Sequence, residues 1–279
     1  MKLDYQPYND KGVPGIHSYI DLVNCPKKVY NKLNRIKSEY ISDGAAVGTI
    51  LHHWAHAFYT IPEFDGDLEI QFPKDYPLNV IQEGNIVGKR YVTDRNVAEF
   101  GKILHAEQRI IFPSDELYKE MGMPFPIPFS FQADLYTDIS KYAAVELSKQ
   151  FLVEPKNGKW LIDHKTYSRR SKTIVDEHLA MLQPSIYSLA MKLMGFDNNG
   201  CIMNFVFNYK YYNEYMILPI ETPDSHMRET IKTFWYLVGG TLSDINDGLY
   251  KANPAMCLLG WSLCPHLLFG SCDRKDTQL

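Results

Sequence analysis

The stretch from residue 128 to 220 does most to limit the fold, because its apolar pattern repeats every two residues over several short runs. PFSFQADLYTDI alternates Phe129, Phe131, Ala133 and Leu135 with Ser130, Gln132, Asp134 and Tyr136, which predicts a strand with one buried face. QFLVEP and WLIDHKTY flank Lys156-Asn157-Gly158-Lys159, and the Asn-Gly step predicts a hairpin between them. A helical pattern follows from Ser171 to Met194, interrupted at Pro184, and CIMNFVFNYKYY with YMILPIE then forms a further strand pair. Thr222-Pro223, an N-cap followed by a first-turn proline, opens a long helix towards Tyr250. Upstream, Ser18 to Tyr40 carries a periodic apolar set, and Ser42-Asp43 caps a helix running through GAAVGTILHHWAHAFY. Strands with helices between them predict an α/β domain built on a mixed sheet.

Residues 60–128 hold prolines at 62, 73, 77, 113, 124, 126 and 128 and read as an insertion. No repeat or linker breaks the rest, so residues 1–279 are expected to form a single domain. Hydrophobic residues are 45% and charged residues 22%, which excludes a wholly disordered chain. Lys and Arg number 29 against 33 Asp and Glu, so a nucleic-acid site must be a local patch and not a global field. The N-terminus is too polar for a signal peptide, and a cytoplasmic protein is expected. Ala252–Cys272 lacks Asp, Glu, Lys and Arg over a membrane-span length. Its two prolines, two glycines and His266 reject a membrane helix in favour of a buried tail.

Asp163 and Lys165 stand two apart on a predicted strand and leave the same face, while His164 points away and offers that face only its carbonyl. With Asp134 on a neighbouring strand, two carboxylates and a carbonyl make a hard-oxygen site for Mg²⁺ or Mn²⁺. The lysine beside them could position a water or stabilise charge on a phosphate. Taken alone, the triplet favours a surface ion pair. His52 and His56 are four apart, but His53 stands where a zinc protease helix needs glutamate.

In chain order the sequence shows GTILH (48–52), QADLY (132–136), IDHKT (162–166) and QPSIY (183–187). The set resembles the RecB-like exonuclease branch of the PD-(D/E)XK nuclease superfamily, marked by Gly-x-x-x-His, Asp, Asp-x-Lys and Gln-x-x-x-Tyr in that order. The resemblance implies a restriction-endonuclease-like core, with a central mixed β-sheet flanked by helices. It implies a divalent metal, Mg²⁺ or Mn²⁺, on His52, Asp134, Asp163 and the His164 carbonyl. By the same resemblance Lys165 acts on the attacking water, and Gln183 and Tyr187 orient the site and contact the nucleic-acid backbone. The implied reaction is hydrolysis of DNA phosphodiester bonds in repair, recombination or phage DNA processing, by an exonuclease acting on single strands or free ends. Many relatives carry an acidic residue in the helix after the first histidine, and this sequence has none there.

Cys25 near the N-terminus and Cys257, Cys264 and Cys272 near the C-terminus resemble the iron–sulfur staple of AddB-type and CRISPR-associated members, which implies a [4Fe–4S] cluster over residues 251–279. The spacing Cys-x6-Cys-x7-Cys is longer than in the best-known members, and unliganded buried thiols are the other reading. Cys201, inside a predicted strand, reads as an apolar filler. Arg169, Arg170 and Lys172 follow the catalytic strand and are expected to meet DNA phosphates, a solvated loop being the alternative. Tyr19, Trp54, Phe58, Tyr91 and Tyr167 could stack on a single strand or belong to the core. Without a nucleotide-binding loop the protein would stand alone or borrow a helicase or recombination partner. A catalytically inactive nuclease-like module that binds DNA or a partner is the alternative function.

Overall fold

A computed structural model describes residues 15, 19–20, 22–23, 25, 43–64, 76–94, 96–107, 109–112, 129–179, 182–221 and 224–246. The chain divides into two compact units, one made of residues 41–109 and 132–227, the other of residues 1–40, 110–131 and 228–279. A single domain was expected from the absence of a linker. The second unit is assembled from three separate stretches of the chain.

The first unit holds helices α1 (Asp43–Thr60) and α2 (Leu78–Thr93) and strand β1 (Lys102–Ala106). After β2 (Arg109–Phe112) and β3 (Phe129–Gln132) come β4 (Leu135–Ile139), α3 (Lys141–Phe151) and β5 (Gly158–Tyr167). Helices α4 (Ile174–Leu179) and α5 (Leu182–Leu193), strands β6 (Cys201–Asn208) and β7 (Asn213–Ile220), and helix α6 (Asp224–Asn246) complete the order. The central sheet runs β1-β4-β5-β6-β7, antiparallel except for the parallel β5–β6 pair. The helical crossover between β5 and β6 is what allows two successive strands to lie parallel.

Helices cover both faces, so β6 is buried along most of its length and β5 along its centre, Trp160 to His164. Even-numbered residues of β5 (Trp160 and Ile162) pack with Ile202, Ile217, Leu135, Ile139 and with Ala144 and Leu147 of α3. Odd-numbered residues of the same strand leave the opposite face, where α5 packs. This is the expected restriction-endonuclease-like α/β core, a mixed sheet flanked by helices.

Three local expectations are corrected. PFSFQADLYTDI is not one strand: β3 and β4 lie in different sheets, separated at Ala133-Asp134. The Asn157-Gly158 hairpin does not form, because residues 141–151 are helical. Ser140 caps that helix by accepting from the Ala143 N–H, and Leu152 ends it in the left-handed region with its N–H on Ser148 O. Third, the stretch read as an insertion supplies α2 and the sheet strand β1. Its prolines cluster outside residues 78–112, which are free of them.

In the second unit β2 pairs with β3, Gly15 bridges to Ser130, and Trp235 gathers the rings of Tyr19, Phe129 and Phe234 at 5.2–5.4 Å. Among the described residues no helix is long and apolar enough to cross a membrane. Ala252–Cys272 lies outside the described residues, as do Cys257, Cys264 and Cys272 of the expected staple. Cys25 is buried and free.

Candidate active site

Asp134 stands where the sheet opens. Pairing between β4 and β5 ends at Leu135 opposite Ile162, so among the described residues β5 has no strand partner on that side beyond Ile162. The Asp134 side chain takes over: the His164 N–H donates to its Oδ2 at 2.5 Å. Its own carbonyl accepts from the Glu107 N–H at 2.8 Å. Its other carboxylate oxygen, Oδ1, lies 3.2 Å from His52 Nδ1, carried by α1. Two elements distant in sequence thereby fix the carboxylate, and a third segment holds the backbone that carries it.

Asp163 and Lys165 leave the α5 face of β5 together, as expected. Lys165 Nζ lies 2.6 Å from Asp163 Oδ2. Gln183, on α5, donates from Nε2 to Asp163 Oδ1 at 3.0 Å and contacts the Tyr187 hydroxyl at 3.2 Å. His52, Asp134, Asp163, Lys165, Gln183 and Tyr187 therefore gather at the open end of the sheet. Tyr187 is only 2% exposed, which corrects the expectation that it touches the DNA backbone. With its hydroxyl against Gln183, it holds that amide on Asp163. Gln183 is itself buried.

Opposite charges in the cluster support one another, while its two carboxylates oppose each other's ionisation. Burial opposes ionisation of Asp134, but the charge and hydrogen bond of His52 and the His164 N–H outweigh it and hold the carboxyl at about 2. Burial also opposes the charged form of His52, yet Asp134 and then Asp163 raise its pKa above the ordinary imidazole value. Burial raises Asp163, with Asp134 adding to it and Lys165 opposing. Lys165 is pulled down by burial but held above its ordinary value by Asp163. The lysine is an ammonium at neutral pH.

Among the described residues no three His, Cys, Asp or Glu side chains stand as a ready metal cage. His52 is engaged with Asp134, and Asp163 with Lys165. The donor chemistry nevertheless fits a hard divalent ion on one observation. The carboxylates of Asp134 and Asp163 stand close enough to act on each other's ionisation and on that of His52, which brings two oxygen donors and an imidazole to one opening.

Behind the strand, His164 reaches the opposite face. Its Nδ1 meets Asn204 Nδ2 at 2.9 Å, and Asn204 reaches the Tyr91 hydroxyl at 3.3 Å. Tyr91 is joined to Tyr59 at 2.9 Å, Tyr59 donates to Ala98 O, and the Tyr59 ring stacks on His164 at 5.7 Å. Trp54 and Tyr91 are buried in this layer, which settles them as core. Burial drives His164 down to about 4, so the ring is neutral in the fold. A histidine protonated near 6.5 when unfolded and near 4 when folded binds more protons in the unfolded chain between those values. Stability is therefore expected to fall as pH drops from 6.5 towards 4, by about 3 kcal/mol from this residue. His52, raised in the fold, works in the opposite direction. Denaturant titrations across this window should show a flatter pH dependence in His164→Phe than in wild type; equal slopes would refute the assignment.

The sequence reading missed Glu107. Its backbone adopts φ 45°, its N–H holds Asp134, and its Oε2 lies 3.9 Å from His56 Nδ1. An acid absent from α1 is thus supplied near it from the end of β1, a place no spacing motif marks. Arg169, Arg170 and Lys172 are exposed just after β5, with Arg170 bonded to Glu214 Oε1 at 2.8 Å. Cys201 is buried in β6, as an apolar filler should be.

Fold and site together define an α/β protein with a mixed five-stranded sheet and a cluster of charged side chains where that sheet opens. The fold is similar to that of a solved structure called "Putative exonuclease" from Eubacterium rectale, with a TM-score of 0.51 over 93% of this chain and 94% of that one, at 10% sequence identity. The solved structure of SSO0001 overlaps less well, with a TM-score of 0.36 at 13% identity over 78% of this chain and 74% of that one. No protein-family model and no curated protein sequence matches the chain.

Proposed function

We propose that the protein is a metal-dependent DNA nuclease of the RecB-like kind, acting as an exonuclease. The observation that carries this reading is the convergence of His52, Asp134, Asp163, Lys165 and Gln183 at one sheet opening. Those residues come from four separate sequence segments, and their order is the order of the resemblance. A likeness of fold to a protein named as an exonuclease supports the same reading.

Phosphodiester hydrolysis needs a water aligned with the phosphorus, relief of charge on the phosphoryl oxygens, and a site that keeps both in register. His52, Asp134 and Asp163, with the His164 carbonyl, would hold Mg²⁺ or Mn²⁺. Bound there, such an ion supplies Lewis acidity and lowers the pKa of its water. Lys165 is held as an ammonium by Asp163, so it has no lone pair to take a proton. Its part is to orient the attacking water and offset phosphate charge. Gln183, braced by Tyr187, fixes the Asp163 carboxylate against rotation. Arg169, Arg170 and Lys172 would meet the strand's phosphates as it enters.

The test is incubation of linear and circular single-stranded DNA with the purified chain and Mn²⁺, with and without chelator. Cleavage of linear DNA alone, abolished by chelation, is the expected result. Cleavage of both forms would replace the exonuclease with an endonuclease. Binding of DNA without cleavage of either would favour a nuclease-like binding module.

A further inference from the structure

Strands β6 and β7 are joined by Tyr209-Lys210-Tyr211-Tyr212, three aromatic rings and a cation in a single turn. The turn is fixed from several sides. The Tyr209 N–H donates to Tyr212 O at 3.0 Å, and the rings of Tyr209 and Tyr212 stack at 5.0 Å. Arg90, from the last turn of α2, donates to both Tyr209 O at 3.1 Å and Lys210 O at 3.0 Å. So clamped, the turn still leaves Tyr211 77% and Tyr212 58% exposed. The Lys210 ammonium stands 5.1 Å from the centre of the Tyr211 ring. Exposed rings on a pinned turn forgo the burial that a loose loop could give them.

The position of this turn gives the rings a ligand. β5 and β6 run parallel with Tyr167 opposite Phe207, so the basic loop leaving β5 emerges beside the β6–β7 turn. The two are joined where the Arg170 N–H donates to the Tyr209 hydroxyl at 3.3 Å. Arg169 and Lys172 are exposed in that loop. Two carboxylates border the region, and both are engaged: Glu214 by Arg170, and Glu83 by Asn208. Lys165 lies opposite Phe205, four residues before Tyr209, roughly 13 Å along the strand.

We propose that the Tyr211–Tyr212 turn and the adjoining Arg169–Lys172 loop form a docking platform for single-stranded nucleic acid. Cations beside the rings suit a phosphate backbone, and ring faces suit bases. A duplex hides its base faces, so the platform selects unpaired strand over duplex and leads it towards Lys165. That the ligand is nucleic acid rests on the nuclease reading; docking itself is separable from cleavage.

The experiment measures fluorescence anisotropy of a short labelled oligothymidylate with the full chain, in chelator so that nothing is cut. Tyr211→Ala/Tyr212→Ala is expected to weaken binding by about tenfold or more. Tyr211→Phe/Tyr212→Phe, which keeps the rings, is expected to bind as wild type. A duplex of equal length should compete poorly. Wild-type affinity in the alanine pair, equal competition by duplex, or no binding by wild type would each overturn the platform, whatever the cleavage assay shows. Turn-dependent binding with no cleavage in Mn²⁺ would leave the platform standing and remove the nuclease reading alone.

Discussion

Lys165→Ala is expected to lower Mn²⁺-dependent cleavage by about 10³-fold, within the range seen when a positioned charge or proton-handling group is removed from a site. The same change leaves Asp163, a buried carboxylate, without its counter-charge, so stability should fall by a few kcal/mol as well. These effects are separable with Asp163→Asn/Lys165→Gln. That pair removes both charges and keeps an amide for Gln183, so most of the lost stability should return. Activity should not. Denaturant midpoints and cleavage rates on the same preparations check this, and a single variant that keeps cleavage within tenfold of wild type would exclude Lys165 from the chemistry.

The second large effect comes from packing and not from charge. Gly84 and Gly88 on α2 face α1 so closely that a Cβ at Gly84 would lie 2.5 Å from Ile50 Cδ1, and one at Gly88 would lie 2.1 Å from Trp54 Cδ1. Ile50 and Trp54 bracket His52 on the same helix, and Trp54 is further tied by its indole N–H to Asn85 Oδ1 at 3.1 Å. Gly88→Leu must therefore push α1 away from α2, at about 3 kcal/mol or more. Moving α1 withdraws His52 from Asp134, so the folded fraction should also cut DNA poorly. Gly44→Ala, in the first turn of α1 with nothing within 4 Å, is the control and should be neutral or slightly stabilising. Thermal melting and cleavage of the two variants test the pair; full activity in folded Gly88→Leu would show that α1 does not position the site.

The strands that carry the chemistry were readable because their patterns are local. Asp163 and Lys165 had to share a face once WLIDHKTY was a strand, and β6 and β7 followed from apolar runs around a polar turn. The Asn157-Gly158 signal misled because a turn residue cannot report what precedes it. Ser140 as a cap and Ala144 and Leu147 at helical spacing commit residues 141–151 to α3. Proline density concealed α2 and β1, although the prolines fall on either side of them. The backing of the site was not legible at all. His164, Asn204, Tyr91 and Tyr59 make one buried chain of polar contacts, but Asn204 and Tyr91 are 113 residues apart. Nothing in the spacing of the sequence announces such a contact.

Asp134 fills, with a side chain, a rung that the β4 backbone leaves empty beside His164. The carboxylate needed for chemistry is thus also a piece of the scaffold. Completing the sheet and assembling the site become one cooperative event, with no well-ordered sheet edge that lacks a placed Asp134. Fraying at this corner is expected to take Asp134 from His52 and from the His164 N–H together. Where the β4–β5 pairing stops, the integrity of the sheet and the geometry of the proposed site become a single property.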